Sequence, residues 1–394
     1  MIQSNKPELS SNRFITLGGR CMRIINVQVY DKDGQFKPGE ITIHDGRIGM
    51  DCNDDCEVVD GAGGYLIPGL IDLHFHGCMG DDLCDANPEG IARIAAYEAS
   101  NGITSICPAS MTINVRDLHK VMEAVRDYDH SSPGASLVGI NLEGPFISPA
   151  KKGAQPEEFI QGCNLPMYRA LQEGSGNMIK LVDIAPETEG AMEFIEAVKD
   201  EVRISLAHTT ADYDTAMKAF SKGASHVTHL YNAMPPFAHR DPGVIGAAFD
   251  WPDTHVELIC DGIHIHPCVV RATFQLFGRD RMILISDSMN ATGLPNGVYS
   301  LGGQEVIMKD GVCRIASGSL AGSATHLMDC MRRAVKNMGI PLEDAVWAAT
   351  HNPAKVLGIL EDRGTIEEGK RADLVLLDAD LNIVKVFIAG FQHL

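Results

Sequence analysis

From Tyr65 to Ser286, short apolar runs alternate with stretches of helical period, and the alternation repeats along the whole middle of the chain. Eight runs read as strands: Tyr65 to Leu73, Ile103 to Pro108, Ser136 to Leu142, Ile179 to Ala185, Val202 to Ala207, Ser225 to Leu230, His255 to Cys260 and Met282 to Ser286. Helical stretches lie between most of them, including Pro88 to Ser100, Val115 to Tyr128, Ala191 to Lys199 and Tyr213 to Lys222. Gly102 and Gly223 stand where left-handed helix ends are expected. Eight such units predict an α/β fold, a (β/α)8 TIM-type barrel, rather than an open sheet, with its chemistry at the C-terminal strand ends. A hairpin-like insert, Gly297 to Ile315, follows the eighth strand and is expected to flap over that face.

Both ends of the chain break this rhythm. Arg23 to Tyr30 and Glu40 to His44 alternate as strands around tight turns, and Ala372 to Leu377 and Ile383 to Ile388 answer them near the C-terminus. The two ends are expected to pair into one small β-sandwich. The expected organisation is a disordered leader (1–19), a discontinuous β-sandwich (20–67 with 359–394) and the barrel (68–358).

Chemistry gathers at the predicted strand ends. The first strand ends in His74 and His76, the third in Glu143, the fifth in His208 and the sixth in His229. Asp261 with His264 follows the seventh, and Asp287 follows the eighth. A buried carboxylate at a strand end needs a cation or a proton to be tolerated. Glu143 with several histidines on one barrel face suits a divalent metal of the zinc or ferrous kind. Such a metal would lower the pKa of water and polarise a carbonyl. Asp287 beside it suits general base and then acid work. The third and fourth strand ends carry no lysine that could become a carbamylated bridge. His119, His130 and His393 fall on polar positions and read as surface residues. Strand alternation turns His226 to the face opposite His229. After His229, the loop Leu230 to Pro236 offers backbone N–H groups and the Asn232 amide, and Arg240 follows, a set that suits phosphate.

Composition narrows the reading. The net charge of −19 argues against nucleic acid or an anionic membrane surface as partner. No apolar run reaches the length of a membrane span, and the N-terminus lacks the apolar core of a secretory signal. The 11 cysteines include no CxxC pair, and Cys52 with Cys56 forms C-x3-C without a partner pair, which gives no zinc ribbon. Thiols kept free in that number fit a reducing cytoplasm.

PGLIDLHFHG, NLEGPFISPAKKGA, AHTTA, THLYNAM, DGIHIHP, ISDSMNATG and SGSLAGSATHLMD occur in that order from about Arg20 to the C-terminus. Together they resemble the N-acetylglucosamine-6-phosphate deacetylase family of the amidohydrolase superfamily. The resemblance implies that Glu143, His208 and His229 hold the catalytic metal. It implies that His74 and His76 match an HxH pair some members use for a second metal, and that Asp287 is the catalytic acid/base. Asn232, Ala233, Arg240 and His264 match residues gripping the sugar phosphate, with Arg240 reaching in from the neighbouring subunit of a homodimer. Asp261, Leu320, Ala321 and Gly322 lie on further substrate-contacting segments, as does Ala154. One position departs: many members carry a histidine after KKGA where this chain has Gln155, so that contact near the acetyl carbonyl is remodelled. The implied reaction is hydrolysis of N-acetylglucosamine 6-phosphate to glucosamine 6-phosphate and acetate. Alternatives are the galactosamine epimer, another amidohydrolase such as a deaminase, and a metal-free structural barrel. Retention of Glu143, His208, His229 and Asp287 together disfavours the last of these.

Overall fold

The apolar runs of the middle region become parallel strands in the computed structural model, which describes residues 21–49 and 56–394. The expected leader and Cys52 lie outside the described residues. Ile140–Glu143, Ile179–Ile184, Arg203–Leu206, His226–Val227, His255–Ile259 and Met282–Ile285 form one six-stranded parallel sheet in sequence order. Leu70–Asp72, Ile103–Ile106 and Ser136–Leu137 form a second parallel sheet beside it. A parallel bridge between Ala109 and Asn141 links the two. At the other side, Asp287 N donates to His74 O at 3.0 Å, drawing the last strand end against the first. The parallel sheet is therefore strongly curled.

Its strands are mostly apolar because both faces are covered. Outside, helices such as Pro88–Ser100 turn Ile91, Ile94, Ala95 and Ala99 onto the sheet. Inside, Ile71, Leu73, Leu181, Ile259, Ile283 and Ile285 pack together, with Val356 and Leu357 in the same cluster. The four helices expected from sequence appear as Pro88–Ser100, Val115–Asp127, Ala191–Val198 and Tyr213–Lys222.

The first expected strand is two strands. Leu70–Asp72 joins the curled sheet, whereas Tyr65–Pro68 pairs antiparallel with Leu374–Leu377 near the C-terminus. The break falls at Gly69, where a Cβ would lie 2.1 Å from Thr104 Oγ1. Strands from the two chain ends thus meet in a single hydrogen-bonded sheet of eight strands. Ile24, Ile43, Leu66, Leu374 and Phe387 form its buried cluster. The expected insert is a three-stranded antiparallel sheet, Gly297–Leu301, Gln304–Lys309 and Val312–Ile315.

The cysteine reading needs correction. Cys21 and Cys56 are joined by a disulfide with Cα atoms 4.8 Å apart, so the thiols are not all free. The cause is register: the first strand pairs in parallel with Glu57–Asp60, Met22 opposite Glu57, which sets the preceding residues side by side. Sequence spacing carries no sign of that pairing. Eight other cysteines are free thiols. Among the described residues, no helix is long and apolar enough to cross a membrane.

His255 opens its strand opposite His226, and neither of its ring nitrogens has a hydrogen-bond partner among the described residues. Burial, with His226 and nearby cations adding to it, pushes its pKa down from 6.5 to about 3. Folded His255 stays neutral where the unfolded chain binds a proton, so stability falls as pH drops from 6.5 towards 3. Urea melts across that window should show a smaller acid loss in His255→Phe than in wild type. Equal losses would remove His255 from the account.

Candidate metal centre

Several of the expected site residues depart from strand geometry. His208, His229 and Asp287 have φ of 45°, 28° and 49°. Such left-handed backbone is uncommon outside glycine and costs about 1–3 kcal/mol at each residue. At a strand end it turns the chain sharply and re-aims the side chain. Gly322 supports Asp287 from behind: a Cβ there would stand 2.9 Å from Asp287 O, while Ser323 N donates to that same oxygen at 2.6 Å.

The imidazoles converge through their Nε2 atoms. His208 Nδ1 lies 2.8 Å from Lys151 O and His76 Nδ1 lies 3.2 Å from Ala109 O. A carbonyl only accepts, so each Nδ1 is the donor. His74 Nδ1 likewise donates to the Glu257 carboxylate at 3.0 Å. In their neutral forms all three rings therefore present a lone pair, not a proton, through Nε2. His208 Nε2 is 3.0 Å from Glu143 Oε1, and His229 Nε2 is 3.3 Å from that oxygen and 3.2 Å from His208 Nε2. His76 Nε2 stands 3.4 Å from both Glu143 Oε2 and Asp287 Oδ1. His74 Nε2 is buried and has no hydrogen-bond partner among the described residues. Lone pairs facing carboxylates in a buried space repel unless positive charge lies between them. Protons alone would have to be added to several neighbouring rings at once, whereas one or two divalent cations satisfy every donor.

The ionisation pattern expresses the same demand. Burial opposes charge on Glu143, yet the surrounding imidazoles, His208 and His229 foremost and then His74 and His76, hold its carboxyl well below the usual range in the forms that carry a proton on Nε2. Asp287 is also lowered, against burial, chiefly through His76. Burial alone would depress His76 and His74. The carboxylates overcome it, raising His76 to about 8 and His74 well above its ordinary value. Three buried groups of donors satisfy metal-ligand proximity among the described residues, Glu143/His208/His229, His74/His76/Asp287 and His74/Glu143/Asp183, the last sharing Glu143 and His74 with the other two. Imidazole nitrogen with carboxylate oxygen is the donor chemistry of zinc, ferrous iron and manganese.

A polar layer beneath these groups was not foreseen. Glu257 accepts from His74 Nδ1 and His229 N on Oε2, both at 3.0 Å, and binds His226 Nε2 through Oε1 at 2.9 Å. Outer carboxylates of this kind fix the tautomer of a metal-binding histidine. Asn141, Asp183 and Thr228 continue the layer. The available signal was a polar residue inside an apolar strand, as in HVELIC, LVDIA and INLE. His226 consequently does not point away from the centre. Glu143, Asp183, Ser205 and His226 stand in register across neighbouring strands and share one face. The alternation count failed because only His226–Val227 is strand, and the left-handed turn at His229 ends the parity.

Above the centre lies a cavity of about 370 Å3. His76, Glu143, Ala154, Gln155, His208, His229, Asn232, Ala233, His264, Asp287, Leu320 and Gly322 from the sequence reading all line it. His74 lies behind the wall, fully buried. Asp261 is also buried and holds His264, accepting from its Nδ1 at 2.7 Å and its N at 2.9 Å. Burial opposes protonation of His264, but Asp261 raises its pKa. Ala321 is buried off the cavity, and Arg240 is exposed outside its wall. Lys151, unforeseen, lines the cavity and donates to Met234 O at 3.2 Å. The insert closes over one side, with Leu301 on the wall and Gln304 Nε2 donating to Ala154 O at 2.5 Å.

A curled parallel sheet with imidazoles and carboxylates gathered at its C-terminal strand ends defines a metal-dependent hydrolase of the α/β class. The chain belongs to the amidohydrolase family, whose model matches residues 65–391. It is 36% identical over 378 residues to the N-acetylglucosamine-6-phosphate deacetylase of Bacillus subtilis, covering 93% of this chain and 96% of that one. It is 34% identical to an N-acetylgalactosamine-6-phosphate deacetylase of Escherichia coli O157:H7, covering 91% of this chain and 96% of that protein. Among solved structures it resembles the N-acetylglucosamine-6-phosphate deacetylase of Pasteurella multocida, with TM-score 0.89, 27% identity and coverage of 94% and 99% of the two chains. A second is a mutant of the Mycobacterium smegmatis deacetylase in complex with N-acetyl-D-glucosamine-6-phosphate, with TM-score 0.87, 30% identity and coverage of 95% and 99%.

Removing the outer carboxylate should loosen the centre without touching a ligand. Glu257→Gln is expected to weaken zinc affinity by about 10–100-fold, measured by competition with a chromogenic chelator. Unchanged affinity would mean that Glu257 does not orient His74.

Proposed function

We propose that this protein hydrolyses the N-acetyl group of N-acetylglucosamine 6-phosphate, releasing acetate and glucosamine 6-phosphate. The observation that carries the reading is the convergence of His208 and His229 Nε2 on Glu143 Oε1, with Asp287 beside them at the cavity floor. Likeness to deacetylases of amino-sugar 6-phosphates across more than nine-tenths of the chain supports the substrate class. In this reading residues 68–358 close as a full (β/α)8 barrel, and residues 20–67 with 359–394 make a second, sandwich-like domain around the terminal sheet.

Glu143, His208 and His229 would hold the catalytic cation, zinc or ferrous iron, and His74 and His76 with Asp287 would hold a second where one is present. When bound, the cation lowers the pKa of water and polarises the acetyl carbonyl. Asp287 presents Oδ1 to His74 and His76, at 4.0 and 3.4 Å. Its carboxylate takes a proton from the attacking water and passes it to the departing amine nitrogen. Within the cavity, His264, held by Asp261, together with Asn232 and Ala233, binds the phosphate, and Lys151 adds a cation from the same chain. Ala154, Leu320 and Gly322 shape the walls. Exposed Arg240 suits a role in trans, completing the phosphate site of a neighbouring subunit in a homodimer. A doubly charged sugar phosphate does not cross a bilayer unaided, which supports a cytoplasmic place of action. Likeness to an N-acetylgalactosamine-6-phosphate deacetylase makes the 4-epimer the second reading.

Acetate release from both epimers by the metal-loaded protein separates the readings, with faster turnover expected on the glucosamine compound. Asp287→Asn should retain tightly held metal and lose about 10²–10⁴-fold in kcat. Full metal with no release from either epimer would overturn the substrate assignment. Arg240→Ala should raise KM at constant metal content. Mixing it with Asp287→Asn should restore activity through hybrid dimers, and no restoration would place Arg240 outside the neighbouring site.

A further inference from the structure

Gln155 lies against the metal centre, but both ends of its amide are already engaged. Its Oε1 accepts from Thr112 N at 2.6 Å, and its Nε2 donates to Glu143 Oε2 at 2.9 Å. The orientation follows from chemistry: a backbone N–H only donates, so the end facing Thr112 must be the oxygen and the end facing Glu143 the NH2. The side chain has little freedom to do otherwise. Gln155 is 2% exposed, and its own N is bound to Lys152 O at 2.9 Å. Thr112 is also buried, and swinging the amide towards a substrate would leave Thr112 N without its acceptor.

The two Glu143 oxygens have different neighbours. Oε1 faces His208 at 3.0 Å, His229 at 3.3 Å and His74 at 3.7 Å. Oε2 faces His76 at 3.4 Å, and it is this oxygen that Gln155 caps. A carboxylate oxygen that accepts a charge-assisted hydrogen bond has less electron density to give a second cation. The capped oxygen is the one that faces His76 in the His74/His76/Asp287 group, so within that group the cap bears on His76, while His74 stays nearer Oε1.

We propose that Gln155 is a positioning residue rather than a substrate contact: by bridging Thr112 N and Glu143 Oε2 it commits Glu143 to the cation held with His208 and His229, and it makes the His74/His76/Asp287 site the weaker of two. The inference rests on the metal-dependent reading above but not on the identity of the sugar.

Visible-spectrum titration of the metal-free full chain with cobalt(II) tests it. Wild type should show one tight step and a second at least tenfold weaker or absent, and His76→Ala should abolish the second. Gln155→Met keeps the length and removes donor and acceptor. It should tighten or create the second step by about tenfold or more, the scale on which outer partners change metal affinity. If the Met variant fails to fold, Gln155→Asn serves the same purpose, since it is too short to span both partners. Two equal steps in wild type, or a second step unmoved in a folded variant, would overturn the proposal. So would a variant that alters only KM for the sugar phosphate, because that is the behaviour of a substrate contact. A wild type that binds no cobalt would overturn the metal-dependent function itself, and this inference with it.

Discussion

Glu143 is 2% exposed, and its two oxygens face four imidazoles, most of which turn a lone pair towards it. A carboxylate so placed cannot be stabilised by water, and neutral rings held by their Nδ1 atoms cannot supply protons without taking up charge. Positive charge in the middle is therefore the constraint to which the surrounding structure conforms. The carbonyls of Lys151 and Ala109 fix His208 and His76, and Glu257 fixes His74. Each has a structural effect beyond its own hydrogen bond, because it decides which nitrogen remains to bind.

That arrangement is costly to fold, and the costs are local. Left-handed backbone at His208, His229 and Asp287 is strained, and Glu257, Asp183 and Asn141 are polar groups set inside an apolar sheet. The sheet tolerates them because hydrogen bonds link them to one another, as from Thr228 to Asp183 and from Asn141 to Asp183. The same curled sheet also carries Ile71, Ile259, Ile283 and Ile285, which pack together as an apolar cluster. Stability thus comes from the two faces of the curled sheet and from the terminal strands, while the mouth holds the strain that positions ligands.

The terminal sheet shows how far local pattern reaches. Strands at both ends were legible from alternation, and so was their partnership. The split at Gly69 was not, because Tyr65 to Leu73 reads as one apolar run whichever sheet each half joins. The Cys21–Cys56 bridge was invisible for a related reason: it depends on a parallel register between segments whose pairing no spacing announces.

By itself the sequence determined the order of strands and helices, the placing of His74, His76, Glu143, His208, His229 and Asp287 at strand ends, and the family, because periodicity and motif are properties of neighbouring residues. The tertiary structure decided what depends on residues far apart in the chain. It turned His226 inward onto Glu257, set Asp261 to hold His264 instead of lining the cavity, and left Arg240 exposed outside the wall. It also tied Gln155 to Glu143 and Thr112. Which face a side chain takes at a left-handed strand end, and which nitrogen of a ring is left free, are settled only when distant strands come into register.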